Sequence, residues 1–206
     1  MMPDYAAPLH VADDIRRVGH AVVPAFVDAA TVGRLAGECR ALHASAQLRP
    51  AAIGRKDLRH VDRELRGDVT RWFDATALTA AQRPFWSRLD ALREQLDREL
   101  FLGLRELEAH YALYPPGARY ARHRDRFRDD DARVLSAVLY LNDDWNEADG
   151  GALRLYFDAN ASPPYRDIAP HAGTLVLFLS AEFDHEVLPA TRERLSVAAW
   201  FRRAAS

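Results

Sequence analysis

The apolar pattern of this chain changes period once, near residue 104, and that change restricts its architecture more than any other feature. Before it, apolar residues recur every three or four positions. Val32, Leu35, Cys39 and Leu42 make one stripe, with Asp28 placed to cap a helix running to about residue 45. Phe85, Leu89, Leu92, Leu96 and Leu100 make a second, with Thr79 as its cap and an end near residue 102. Beyond the change, runs of strand length take over at residues 104–113, 134–141, 152–157, 174–179 and 195–201. Pro115-Pro116-Gly117, Asp149-Gly150-Gly151 and Pro163-Pro164 punctuate them as turns. One further short strand is expected within residues 19–26. Residues 47–66 read as a loop with one strand, and residues 1–12 as a loose tail. Helices followed by six or more short strands predict an α+β fold: a double-stranded β-helix (jelly-roll) core buttressed by N-terminal helices. With no repeat, low-complexity stretch or linker, residues 1–206 are read as one domain with its core at about 104–203.

Composition removes several classes of function. At 49 % hydrophobic and 28 % charged residues, the chain has the balance of a soluble globular protein. A net charge of −2 lacks the basic excess of a nucleic-acid footprint. Arg122, Arg124, Arg126 and Arg128 alternate with Asp125, Asp129, Asp130 and Asp131, so they read as mixed surface charge. The single cysteine, Cys39, leaves no intrachain disulfide and no cysteine zinc site, which points to a reducing, cytoplasmic compartment. Asp4, Asp13 and Asp14 break any secretory leader, and no apolar run approaches the roughly 20 residues that cross a bilayer. Neither a membrane nor a nucleic acid is expected as partner, and the oligomeric state is not readable.

The chemistry is carried by His123-x-Asp125, His185 and Arg194. Two residues apart on an extended chain, His123 and Asp125 point to one side and can reach one ion. His185, just past the apolar run 174–179, can close the set from another strand. Two imidazoles and one carboxylate occupy one face of Fe(II) and leave three positions open for a co-substrate and O2. A His-x-Asp pair alone is a weak signal. The set with a distant histidine and an arginine on the last strand is a strong one. On that strand Arg194, Ser196, Ala198 and Trp200 alternate with Leu195, Val197 and Ala199, so arginine and serine share a face. A buried guanidinium needs an anion, and a dicarboxylate co-substrate supplies one. Tyr140 can direct its hydroxyl at the same carboxylate. The residues thus suggest an iron- and 2-oxoglutarate-dependent oxygenase. Val138, Leu153, Leu155, Val176 and Val197 are expected to wall its pocket. His10, His20, His43, His60, His110 and His171 read as surface or hydrogen-bonded histidines.

These segments resemble the prolyl hydroxylases of the EGL-nine/SM-20 type over residues 19–203. The likeness rests on residues 114–125, from Tyr114-Pro115-Pro116-Gly117 to His123-Arg124-Asp125. It continues through Leu139-Tyr140-Leu141-Asn142, Gly150-Gly151, His185-Glu186-Val187 and the strand from Arg194 to Trp200, and upstream through Arg66-Gly67-Asp68 and Trp72. The resemblance implies iron ligands at His123, Asp125 and His185. It implies 2-oxoglutarate contacts at Arg194, Tyr140, Tyr114 and Ser196. Tyr120 and Trp200 would flank a target proline, and Arg133 and Asp68 would form a charged pair at the substrate entrance. Ala198 stands where relatives carry a hydroxyl.

The activity this implies is hydroxylation of a prolyl residue in a cytoplasmic protein or peptide, with O2 as oxidant and succinate and CO2 as co-products. Ascorbate is implied as a stimulant. Two alternatives stay open at this point: hydroxylation of a free amino acid or small metabolite, and a non-catalytic jelly-roll binding module.

Overall fold

The computed structural model describes residues 11–52, 60–125, 132–158 and 164–204. Arg126, Arg128, Asp129, Asp130 and Asp131 therefore lie outside the described residues, as do residues 1–10 of the expected tail. Among the described residues the helices are α1 (Val11–Val18), α2 (Ala29–Ala44) and α3 (Gln82–Leu100). Asp28 caps α2, accepting a hydrogen bond from the Thr31 amide at 2.7 Å. Thr79 works at the start of α3. Its hydroxyl accepts from the Gln82 amide while its own amide donates to the Gln82 side chain. Helix α1 contradicts the tail reading of residues 11 and 12: Val11, Ala12 and Ile15 are buried. Eight residues carry too few apolar positions to show a period by themselves.

The strands form two antiparallel sheets. The larger holds seven strands in the order β1 (His20–Val23), β9 (Leu175–Leu179), β6 (Arg133–Tyr140), β11 (Arg194–Arg202), β4 (Glu106–Tyr114), β3 (Val69–Trp72) and β2 (Arg49–Pro50). The smaller holds β5 (Tyr120–His123), β10 (Asp184–Val187), β7 (Leu153–Tyr156) and β8 (Tyr165–Ile168). This is the expected jelly roll with helices on one side. Strands β3, β5, β8 and β10 were not among the apolar runs. In β10 the inward positions are His185 and Val187, so a histidine stands where an apolar residue would have marked the strand.

Alternation along the central strands separates two cores. Leu195, Val197, Ala199 and Phe201 of β11 pack under the helices with Phe85, Leu89 and Leu96. Each such fully buried leucine or phenylalanine contributes about 1.5–3 kcal/mol. The opposite residues of β4, β6 and β9 (Ala112, Tyr114, Tyr140, Val176 and Phe178) meet Leu153, Leu155 and Val187 of the small sheet. Val197 therefore does not wall the pocket between the sheets. It lies on the helix face, because its neighbours Ser196 and Ala198 point the other way. No described helix is long and apolar enough to cross a membrane.

Candidate active site

A cavity of about 600 Å³ opens between the two sheets, and His123, Asp125, His185, Arg194 and Ser196 all line it. Register brings the two histidines together: His123 of β5 is the cross-strand partner of His185 of β10. Their ring centroids are 4.1 Å apart. Each Nδ1 faces a main-chain carbonyl, Ala121 O at 2.8 Å and Phe183 O at 3.3 Å. A carbonyl only accepts, so each Nδ1 donates, and in the neutral ring Nε2 is the nitrogen that keeps its lone pair. Both Nε2 atoms then face Asp125, at 3.6 Å from Oδ1 and 3.6 Å from Oδ2 respectively. One ligand atom from each residue lies within 4.8 Å of the others, as one ion would require.

Asp125 is itself held in place. Its Oδ2 accepts from Ser136 Oγ at 2.7 Å and from Trp200 Nε1 at 2.9 Å, and Ser136 is bonded in turn to Ser180 at 2.9 Å. Burial works against the charge, but His185, His123 and Arg133 hold the carboxyl well below the usual range. Burial first, then the His123 charge, pushes His185 down to about 4. Asp125 is thus a carboxylate and His185 a neutral imidazole, the protonation states a divalent metal needs of them. Three ligands of this type, gathered on one side with the cavity on the other, fit Fe(II).

The far end of the cavity is cationic. Arg194 is 1 % exposed and forms no ion pair among the described residues. Its Nε donates to Gly151 O at 2.8 Å and its Nη1 reaches Ser196 Oγ at 3.4 Å. Its Nη2 and the Tyr140 hydroxyl are buried without hydrogen-bond partners among the described residues. The Tyr114 and Tyr140 rings each lie 5.2 Å from the guanidinium carbon. Burial raises the Tyr140 hydroxyl to about 12, against the pull of Arg194, and burial likewise raises Tyr114, so both stay protonated donors. Gly151 is part of the device. At φ +68°, a Cβ there would meet Arg194 Cδ at 3.2 Å and Trp145 at 3.1 Å. Unpaired donors around one buried cation make a carboxylate site, and the residues fit the distal carboxylate of 2-oxoglutarate.

The remaining expected residues divide. Tyr120 stacks on His123 at 3.5 Å, and Arg66 lies over its other side at 4.5 Å, so Tyr120 supports a metal ligand. Trp200 orients Asp125 through its indole N–H. Asp68 and Arg133 do not pair with each other. Asp68, 2 % exposed, is gripped at both oxygens by Arg66 at 2.7 and 3.1 Å. Arg133 instead pairs with Glu108 at 2.8 Å and covers the Trp200 ring at 3.7 Å. Arg66 lies two residues from Asp68 in the chain, and Glu108 is the cross-strand neighbour of Trp200, so each charge takes the nearest partner. Ser136 and His110 were missed as cavity residues. The signal for His110 was present: it shares a strand face with Ala112 and Tyr114 by simple alternation.

Residues 109–202 match the family described as the 2OG-Fe(II) oxygenase superfamily. A Pseudomonas putida prolyl-4-hydroxylase is 46 % identical over 95 % of this chain and 98 % of its own, with a TM-score of 0.83. The chain belongs to the 2OG-Fe(II) oxygenase superfamily, on its prolyl hydroxylase branch. A prolyl hydroxylase from Trichoplax adhaerens, solved with a hypoxia-inducible-factor peptide fragment, superposes with a TM-score of 0.82. It is 25 % identical over 93 % of this chain and 87 % of its own. The hypoxia-inducible factor prolyl hydroxylase of Caenorhabditis elegans is 31 % identical over 93 % of this chain and 28 % of its own length. Human Egl nine homolog 1 is 26 % identical over 93 % and 46 %. This oxygenase chain thus spans less than half the length of those two curated relatives. The family named for iron and 2-oxoglutarate has candidate sites for both here, the His-Asp-His face and the Arg194 end of the cavity.

Proposed function

We propose that this chain hydroxylates a prolyl residue of a cytoplasmic protein, using Fe(II), 2-oxoglutarate and O2. The observation that carries the reading is one cavity with three candidate metal ligands at one end and, at the other, a buried arginine that has no ion pair among the described residues. Bound iron supplies the redox chemistry, in which O2 converts 2-oxoglutarate to succinate and CO2 and delivers its second oxygen atom to a substrate C–H bond. His123, Asp125 and His185 hold the metal from one side only. Ser136 and Trp200 keep Asp125 turned toward it. Arg194, Tyr140 and Ser196 would hold the distal carboxylate of the co-substrate, so that its other end is presented to the metal face in one pose. Val138, Leu153 and Val187 line the cavity and exclude water from the reacting end. The aromatic mouth formed by Tyr120, Trp72 and Trp200 suits an extended proline-containing segment, which loses little conformational freedom on binding.

The test is turnover with pooled proline-containing peptides against free amino acids, read as succinate release and as a 16-dalton gain on proline by mass spectrometry (one oxygen atom, roughly 16 Da). The expected result is stimulation by a subset of peptides. Stimulation by free amino acids alone would transfer the activity to small metabolites. No succinate under any condition, with no charge-transfer absorbance on anaerobic addition of Fe(II) and 2-oxoglutarate, would leave a binding module. Ascorbate is varied in the same assay.

A further inference from the structure

The floor of the cavity is a ladder whose rungs can be read from register. One rung holds Tyr140, Ser196, Ala112 and Thr70 and belongs to the carboxylate anchor. Another holds Ser136, Trp200 and Glu108 and carries the two donors that orient Asp125. Between them lies the rung Val138, Ala198, His110 and Trp72. Three of these four offer no hydrogen-bonding side-chain acceptor. The fourth is an imidazole that lines the cavity at 2 % exposure.

The His110 ring is fixed in position and in tautomer. It packs edge-on to Trp72 at 4.7 Å and against Trp200 at 5.4 Å. Its Nδ1 lies 3.0 Å from the Tyr111 carbonyl, which only accepts, so the proton sits on Nδ1. Burial first, then the Arg66 charge, pushes its pKa down to about 4, so the ring is neutral. Nε2 is therefore a lone-pair acceptor, and among the described residues it makes no hydrogen bond. Its cross-strand neighbour Ala198 carries only a methyl group and does not cover it. Nε2 opens on the cavity, where water meets it when no substrate is bound, and a bound molecule that displaces that water must supply a donor or leave the acceptor unmet. 2-Oxoglutarate cannot, because at neutral pH it presents only acceptors. The donor comes from the substrate.

We infer that His110 is a specificity-determining residue: its Nε2 accepts a hydrogen bond from a main-chain N–H of the bound substrate, beside the target residue. This rests on the peptide reading above. A prolyl nitrogen has no hydrogen of its own, so for a proline target the donor is the amide that follows it.

The test uses protein loaded with redox-inert Zn(II) and 2-oxoglutarate. The probes are N-acetylproline N-methylamide, which keeps that N–H, and N-acetylproline dimethylamide, which lacks it. The alanine analogues of both form a second pair. Nitrogen-15 NMR of labelled histidines reads Nε2 directly. The expected result is an unprotonated Nε2 that shifts on adding the N-methylamide and not the dimethylamide. The N-methylamide should also bind about 5- to 10-fold more tightly, the worth of one neutral hydrogen bond. In His110→Phe, which keeps the aromatic packing, the preference should fall to unity. His110→Gln, which restores an acceptor, should recover part of it. With a turned-over peptide, His110→Phe should raise KM and spare kcat. A protonated Nε2, no shift with any probe, or an equal preference in wild type and His110→Phe overturns the assignment. A preference confined to the alanine pair keeps His110 as the acceptor and removes the proline reading instead.

Discussion

Replacing Arg194 by methionine should separate stability from co-substrate binding. A guanidinium 1 % exposed with no ion pair among the described residues carries a desolvation penalty of several kcal/mol, by rough estimate. Methionine relieves that penalty but loses the bond to Gly151 O and the weak contact with Ser196, together about 2–3 kcal/mol. The two effects nearly cancel, so the ligand-free variant should unfold within about 4 °C of wild type. Binding behaves differently. The distal carboxylate of 2-oxoglutarate would lose two charge-assisted hydrogen bonds worth about 4 kcal/mol in total, or roughly a thousandfold in affinity. The assay is thermal unfolding with Mn(II), with and without 2-oxoglutarate. In wild type, co-substrate at about a thousand times its Kd adds about 4 kcal/mol, or roughly 10 °C. In the variant that increment should vanish. Arg194→Lys should fall between, because lysine keeps charge without the fork. A ligand-free variant destabilised by more than about 3 kcal/mol would show that Arg194 serves the fold. An undiminished 2-oxoglutarate increment would place the anchor elsewhere.

Three further outcomes are expected. His123→Ala should abolish metal binding and turnover while the circular dichroism spectrum keeps its wild-type shape; retained activity would refute the ligand assignment. Ser136→Ala removes one of the two donors to Asp125 Oδ2 and should weaken metal affinity about 10- to 100-fold, measured by competition with a chelator. In the metal-free protein, His110 and His185 are both pushed from 6.5 to about 4, so the unfolded chain binds protons that the folded one refuses. Their contribution is full above pH 6.5 and is lost as pH falls toward 4. Each should cost about 2 kcal/mol between pH 7.5 and pH 5. Urea unfolding at the two pH values checks this, and His110→Phe should remove about half of the difference. A pH-independent midpoint would contradict the burial of both rings.

Properties carried by local periodicity were legible before any coordinates. The faces of β11 are an example: alternation alone put Arg194 and Ser196 on one side and Leu195 on the other, and the sheet keeps them there. The shared side of His123 and Asp125 was legible for the same reason, since two residues on an extended strand share a side. The stripe of α3 and the Asp28 cap are equally local. Short elements without an apolar run were not legible. Strand β10 hides because its inward residues include His185, a candidate metal ligand, and α1 hides because eight residues span barely two turns.

Sequence alone determined which residues could serve as ligands, cation and acceptors, because side-chain chemistry and the periods of helix and strand are covalent properties of the chain. Only tertiary structure decided which of those groups meet. It gave Arg133 to Glu108, set His110 on the rung between those of Tyr140 and Ser136, and left Arg194 without an ion pair among the described residues. Those outcomes depend on strand register and sheet closure across up to a hundred or more residues. A one-residue slip would turn every one of these side chains to the opposite face.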